Sequence, residues 1–267
     1  MSMHAKEDLN GYIALPQRGM IHIEGADRYD FLNGLITQDA LKLRKTPMLY
    51  SALLTPQGKF LHDFFMHQGD GFIMLDCEGG ARTEDLYERL LRYRLRKDVQ
   101  LSFEPSHPVY AVFGDKGHHA LPDPRHKEMG WRTFEKPADS QELSFEDWDK
   151  RRIALGLPDG SRDLASEKTT VAESGLDQAG AIDWDKGCYM GQELTARMKH
   201  RNLGKKRLAA LQFDHAPPAP FTPLTIEDKT VGDMRSSCGP IGLAVIRNEY
   251  DDLLQSQSSP VRFLGLR

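Results

Sequence analysis

"DKGCYMGQE" (185–193) is the stretch on which the reading of this 267-residue chain turns. A single cysteine stands between Gly187 and Gly191, after Lys186 and before Gln192 and Glu193. The two glycines permit tight turns and close backbone approach on either side of it. The residues that follow, "GQELTARMKHR" (191–201), carry an acid at the front and bases at the back, the charge order of a helix. Cys188 then sits just before a positive helix end with Lys186 beside it in sequence, and both features favour a thiolate. A nucleophilic cysteine also needs a base, and spacing supplies none, because His200 lies toward the far end of the same helix. From these residues alone Cys188 is either a functional thiol or a small buried side chain. Glu193 is either a first-turn helix acid or a carboxylate aimed at the amide edge of a ligand.

On the N-terminal side the pattern reads α+β. "RGMIHIEG" (18–25) is a strand, Asp27 caps a short helix, and two apolar runs around Pro56-Gln57-Gly58 form a hairpin. Thr83 is expected to cap "TEDLYERLLRYRLRKD" (83–98), whose Leu86, Leu90 and Tyr93 give it one apolar face. Residues 114–139, polar and irregular with His118, His119 and His126, read as a surface loop or a weak internal boundary. "FEDWDKRRIALGLPDG" (145–160) is helical from about Ser144 to Leu155. From residue 205 onward, short alternating runs punctuated by Pro and Gly give a small barrel or sandwich. The expected organisation is therefore 1–204 followed by 205–267, with a subdivision of the first part near 114–139.

Composition narrows the function classes. A formal net charge of −4 gives no global attraction to nucleic acid or an anionic membrane. The basic run from Arg197 to Arg207 reads first as a solvated helix end, so direct RNA binding is not expected. No apolar run approaches the ~20 residues that span a bilayer, and "MSMHAKEDLNGY" has no signal-peptide core. Cys77, Cys188 and Cys238 are too far apart for a disulfide framework. These features together point to the cytoplasm. No G-x-G-x-x-G, P-loop, H-E-x-x-H or C-x-x-C pattern occurs, and the scattered histidines give no ligand spacing, so no metal is expected.

"KGCYMGQE" (186–193) resembles the K-G-C-[YF]-x-G-Q-E signature of the YgfZ family of folate-binding proteins, relatives of the aminomethyltransferase (T-protein) of glycine cleavage. "FLNGLITQD" (31–39), "LLTPQGKFLHDFF" (53–65), "RYRLRKDVQL" (92–101), "RRIALGLP" (151–158), "TARMKHRNLGKKRL" (195–208) and "CGPIGLAVIR" (238–247) agree in order. The resemblance implies an α+β, T-protein-like folate-binding region closed by a C-terminal β-barrel. It implies tetrahydrofolate as cofactor, and iron–sulfur proteins or their assembly factors as partners. The implied role is assembly or repair of iron–sulfur enzymes and, through them, tRNA modification. Cys188 is the implied functional thiol, within a signature formed by Lys186, Gly187, Tyr189, Gly191 and Gln192. Trp148 falls at one position where the family lines its folate with tryptophan, Arg18 stands in place of tryptophan at the other, and Asp63 and Glu193 are the carboxylates expected toward the ligand. His62 stands where an aminomethyltransferase would carry a second acid. That disfavours the alternative, a folate-dependent aminomethyltransferase or demethylase, and leaves open whether the protein is an enzyme.

Overall fold

The computed structural model describes residues 9–115, 119–201, 203–256 and 258–264. The polar lead-in 1–8, His118 and residues 265–267 lie outside them. In chain order the elements are β1 (Gly11–Leu15), β2 (Arg18–Glu24), α1 (Arg28–Asn33), β3 (Met48–Leu54), β4 (Phe60–Gln68), β5 (Phe72–Glu78), α2 (Ala81–Tyr93), β6 (Gln100–Glu104) and β7 (Val109–Phe113). There follow β8 (Leu121–Pro122), β9 (Trp131–Thr133), α3 (Phe145–Ala154), α4 (Val171–Ser174) and α5 (Gln192–His200). The chain ends in β10 (Lys206–Phe213), β11 (Pro223–Ile226), β12 (Lys229–Cys238), β13 (Ile241–Arg247), α6 (Asp251–Gln255) and β14 (Val261–Phe263).

A central antiparallel sheet in the order β3-β4-β5-β2-β6 is apolar on both faces, as a strand such as "FLHDFFMHQ" dictates. Phe64 and Met66 of β4 point to one face, where Leu32 of α1 and Leu86 and Leu90 of α2 cover them. Phe65 points to the other face, toward β1 and β7 of a second sheet ordered β1-β7-β9-β8. This alternation follows from the two-residue period of a strand. Past the register shift at the start of β4, it sends Asp63 and Phe65 toward the space between the two sheets.

The expected hairpin is present, with β3 and β4 paired from Met48↔His67 to Leu54↔Phe60. Ser144 caps α3 through a reciprocal pair with Asp147. Two readings need correction. The first residue outside α2 is Gly80 at φ 64°, and Thr83 lies within the first turn, where its hydroxyl donates to the Glu78 carbonyl at 2.7 Å. The segment 114–139 is not merely a surface loop, because β8 and β9 complete the second sheet and carry the buried Arg132. Short strands of two and three residues leave no periodicity to read.

The C-terminal sheet, ordered β11-β12-β13-β10-β14, has its own core around Leu211, Met234 and Ile246. A second apolar cluster joins it to α3 through Ile153, Leu208 and Leu243. Beside that cluster the fully buried Arg152 reaches across to Ser236 of β12 at 2.7 Å.

Candidate functional site

A cavity of about 230 Å³ lies between the central and second sheets. The central sheet delivers Arg18 from β2, Asp63 and Phe65 from β4, and Glu78 from β5 to its wall. Arg125 and Arg132 come from the second sheet and its connection, Phe145 and Trp148 from α3, and Asp159 and Arg162 from the turn after α3. Phe145 and Trp148 stand 5.2 Å apart with their rings tilted by 31°, giving the cavity one flat aromatic side.

Charge inside this space is paired before any ligand enters. Arg18 Nε donates to Asp76 Oδ1 at 2.7 Å, and Arg132 donates to the other oxygen of the same carboxylate. Burial alone would raise the Asp76 carboxyl, but the two guanidinium groups hold it at about 2. Arg125 grips Asp123 with two bonds of 3.0 and 2.8 Å. The Arg132 guanidinium lies 3.8 Å from the Phe65 ring centroid, and that of Arg125 lies 4.8 Å from it.

The carboxylates differ in state. Burial raises the Asp63 carboxyl, and its Tyr50 hydroxyl bond at 2.6 Å and nearby Arg18 only partly offset that rise. Asp159 goes the other way, because Arg152 and Arg162 outweigh its burial and keep it ionised. Glu78 accepts the Ser161 N–H at 3.1 Å and the Ser161 hydroxyl at 2.5 Å. An acid that holds a proton more readily than usual thus faces one held as an anion, an asymmetry suited to acid–base or hydrogen-bonding roles. The Trp148 indole N–H is buried, with the residue 3% exposed, and has no hydrogen-bond partner among the described residues. A buried donor left unpaired is costly unless something else accepts from it.

Trp148, Arg18 and Asp63 therefore converge on one cavity. Glu193 does not, because its side chain is 87% exposed and pairs with Arg197 on the surface of α5. His62 also lies away from it. Being even-numbered in β4, it points to the α2 face and meets Asp85 at 2.7 Å. Its burial pushes the ring down to about 4. The histidine is thus no replacement for an acid at the cavity, and the argument it carried against transferase chemistry falls. Arg132 and Asp76 carry no functional signal in the sequence, and Arg125 and Asp159 only that of segments dense in turn residues, "LPDPRH" (121–126) and "LPDGSR" (157–162).

The 185–193 stretch forms a second feature. Cys188 is exposed and does not line the cavity, whereas the adjacent Tyr189 is buried in the apolar cluster that contains Trp148. The Lys186 ammonium turns inward and donates to the carbonyls of Asn33, Ile36 and Gln38 at 2.9, 2.8 and 2.8 Å. Burial lowers it to about 8. Its charge is held by the backbone just after α1, so it fastens the cysteine loop to the central layer. Gly191, at φ 83°, meets the hairpin turn so closely that a Cβ there would lie 2.5 Å from the Thr55 carbonyl oxygen. Lys186→Met is expected to lower stability by about 2 kcal/mol, the cost of leaving buried carbonyls unpaired. Faster amide exchange over 185–190 in that variant would register the loosened loop; unchanged exchange there would contradict the tether.

Among the described residues, no group of three or more His, Cys, Asp or Glu is arranged to hold a metal ion, and no helix is long and apolar enough to cross a membrane. The Lys199 ammonium pairs with Asp177 and Arg207 with Asp251, so part of the basic run is neutralised locally.

Residues 205–258 match the family model described as the C-terminal β-barrel domain of CAF17. The chain is 30% identical over 285 aligned residues to the mitochondrial iron–sulfur cluster assembly factor IBA57 homologue of Pyricularia oryzae, covering 90% of this chain and 72% of that protein. It is also 30% identical over 276 residues to the human mitochondrial IBA57, covering 88% and 77%. Its fold matches that of the glycine cleavage system aminomethyltransferase T from Bartonella henselae, with a TM-score of 0.72 over 91% of this chain and 80% of that one. At 15% identity that likeness is one of architecture. The fold is accordingly the T-protein type with a C-terminal β-barrel. The cytoplasmic expectation is overturned, because these relatives are mitochondrial proteins; an unremarkable N-terminal composition does not define a compartment.

Proposed function

Because this chain belongs to the IBA57 family of iron–sulfur cluster assembly factors, we propose that it supports the assembly or repair of iron–sulfur proteins, with the inter-sheet cavity as a folate site and Cys188 as the working thiol. The observation that carries this reading is the family match along nearly the whole chain, with Cys188 exposed on a loop held from beneath by Lys186. Partners are iron–sulfur proteins and the factors that load them. Enzymes that thiolate tRNA are among the clients that the YgfZ-like signature suggests.

The cavity residues fit tetrahydrofolate. The unpaired indole N–H of Trp148 asks for an acceptor, and the Trp148 and Phe145 rings offer a stacking surface for a flat pterin. Asp63 and Glu78 offer oxygens to amide and amine edges. A folate bound there would bring one-carbon chemistry. The chain's own residues would orient it, exclude water and hold a proton at the Asp63 carboxyl.

A second reading, a folate-dependent aminomethyltransferase or demethylase, draws support from Asp63, which faces the cavity while His62 points away. It ranks lower because the assembly factors share 30% identity with this chain and the aminomethyltransferase 15%. Turnover of an aminomethyl donor with tetrahydrofolate would reverse that order.

The thiol is tested in cells lacking their own copy of the assembly factor. Cys188→Ala, confirmed as folded, is expected to leave iron–sulfur enzyme activity unrestored while the wild type restores it. Full restoration by Cys188→Ala would remove the cysteine from the account.

A further inference from the structure

The end of α2 carries a surface that neither the cavity nor the cysteine loop uses. Residues 91–98, "LRYRLRKD", are all exposed. Leu91 is 38% exposed, Tyr93 41% and Leu95 82%, so three of the six large exposed apolar side chains among the described residues fall within five positions. Arg92, Arg94, Arg96 and Lys97 interleave with them. Among the described residues only Arg92 of these four has a carboxylate in ion-pair range, Glu88 at 3.7 Å. Asp98 is engaged by the turn before α1, where its carboxylate accepts from the Ala26 N–H and its own N–H donates to Asp27 Oδ2 at 2.8 Å. The result is a cationic, apolar-centred patch on a chain whose net charge is −4.

The backbone presents this patch rather than merely tolerating it. One turn earlier Leu86 and Leu90 are fully buried, which anchors the helix as a rigid platform. The turn from Arg94 to Lys97 is closed by a 3.0 Å bond from the Lys97 N–H to the Arg94 carbonyl. Within it Leu95 adopts φ 47°, a left-handed conformation that glycine occupies without strain and a leucine does not. A bulky apolar residue held in that conformation with its side chain in water serves no requirement of the fold.

We infer that this patch is a docking site for an acidic protein segment that carries an apolar anchor residue. Interleaved Arg, Tyr and Leu are the chemistry of protein-interface hot spots, and arginine forks suit carboxylates. An interfacial membrane helix would instead segregate its cations from its apolar face. A single-stranded nucleic-acid platform would need more aromatic rings than Tyr93 alone. The inference rests on this surface and stands or falls apart from the iron–sulfur and folate readings.

The test uses the full chain and a short fluorescent peptide of glutamates around two leucines, followed by anisotropy. A peptide with lysine for glutamate, phosphatidylserine vesicles and a single-stranded RNA serve as competitors. The acidic peptide is expected to bind, more weakly as salt rises. Arg92→Glu/Arg94→Glu/Arg96→Glu should abolish binding. Leu95→Gly should weaken it by roughly tenfold or more while keeping or raising the melting temperature, because glycine relieves the left-handed backbone. A purely structural Leu95 would not give that opposite pair of effects. Absent peptide binding, binding unchanged in Leu95→Gly, or preference for vesicles or RNA over the peptide would overturn the assignment.

Discussion

Arg152→Ala is expected to lower folding stability by about 3–5 kcal/mol, the cost of leaving buried charges without their partner. The guanidinium is fully buried. It donates to Asp149 Oδ1 at 2.7 Å, to Asp163 Oδ2 at 2.6 Å, to the Leu157 carbonyl at 3.1 Å and to the Ser236 hydroxyl at 2.7 Å. Asp163, itself fully buried, accepts further from the Ser236 N–H and hydroxyl at 2.9 and 2.6 Å. Alanine would leave Asp163 without its cation and remove the polar bridge between α3 and β12. Arg152→Lys should rescue little, since one ammonium cannot reproduce a planar fork that serves four acceptors. Urea midpoints report the loss, and a change under about 1 kcal/mol would mean that the apolar contacts around Ile153 hold the barrel to α3 without help.

The second large effect is expected at Trp148, which is 3% exposed and shares α3 with Arg152. Trp148→Ala should cost about 3–5 kcal/mol through the void it opens beside Phe145 and the Arg125 and Arg152 guanidinium groups. Trp148→Phe separates packing from ligand recognition. It retains a ring beside Phe145 but removes the indole N–H, which has no partner among the described residues. Stability of Trp148→Phe should therefore stay within about 1–2 kcal/mol of the wild type, while affinity for a ligand that accepts from that N–H falls by roughly tenfold. Equal affinity in the two proteins would mean that the ligand does not use the indole nitrogen.

Much of the scaffold was legible in local chemistry. Pro56-Gln57-Gly58 marks a hairpin because the turn residues and the two flanking apolar runs act within a few positions. Ser144 and Asp147 mark the start of α3 for the same reason. The cavity was legible only in part. Arg132 meets Asp76 across 56 positions, and Arg125 lies over Phe65 and Tyr50, so nothing near "LPDPRH" reveals that its arginine is buried. The role of His62 is hidden in the sequence because its side of β4 depends on pairing: Asp63 and His62, adjacent in the strand, go to opposite faces. Lys186 lies close to Cys188 in sequence, but its ammonium reaches carbonyls about 150 positions away. Long-range pairing and strand facing are properties of the assembled layers, and a one-dimensional pattern does not carry them.

Titration calorimetry of the intact protein with tetrahydrofolate is the most direct test of the cavity's assignment. The account predicts saturable one-to-one binding by the wild type, weaker binding by Trp148→Phe, and unchanged binding by Cys188→Ala, whose side chain lies outside the cavity. No binding by the folded wild type, or binding that Trp148→Phe leaves untouched while Cys188→Ala abolishes it, would contradict a folate site between the two sheets.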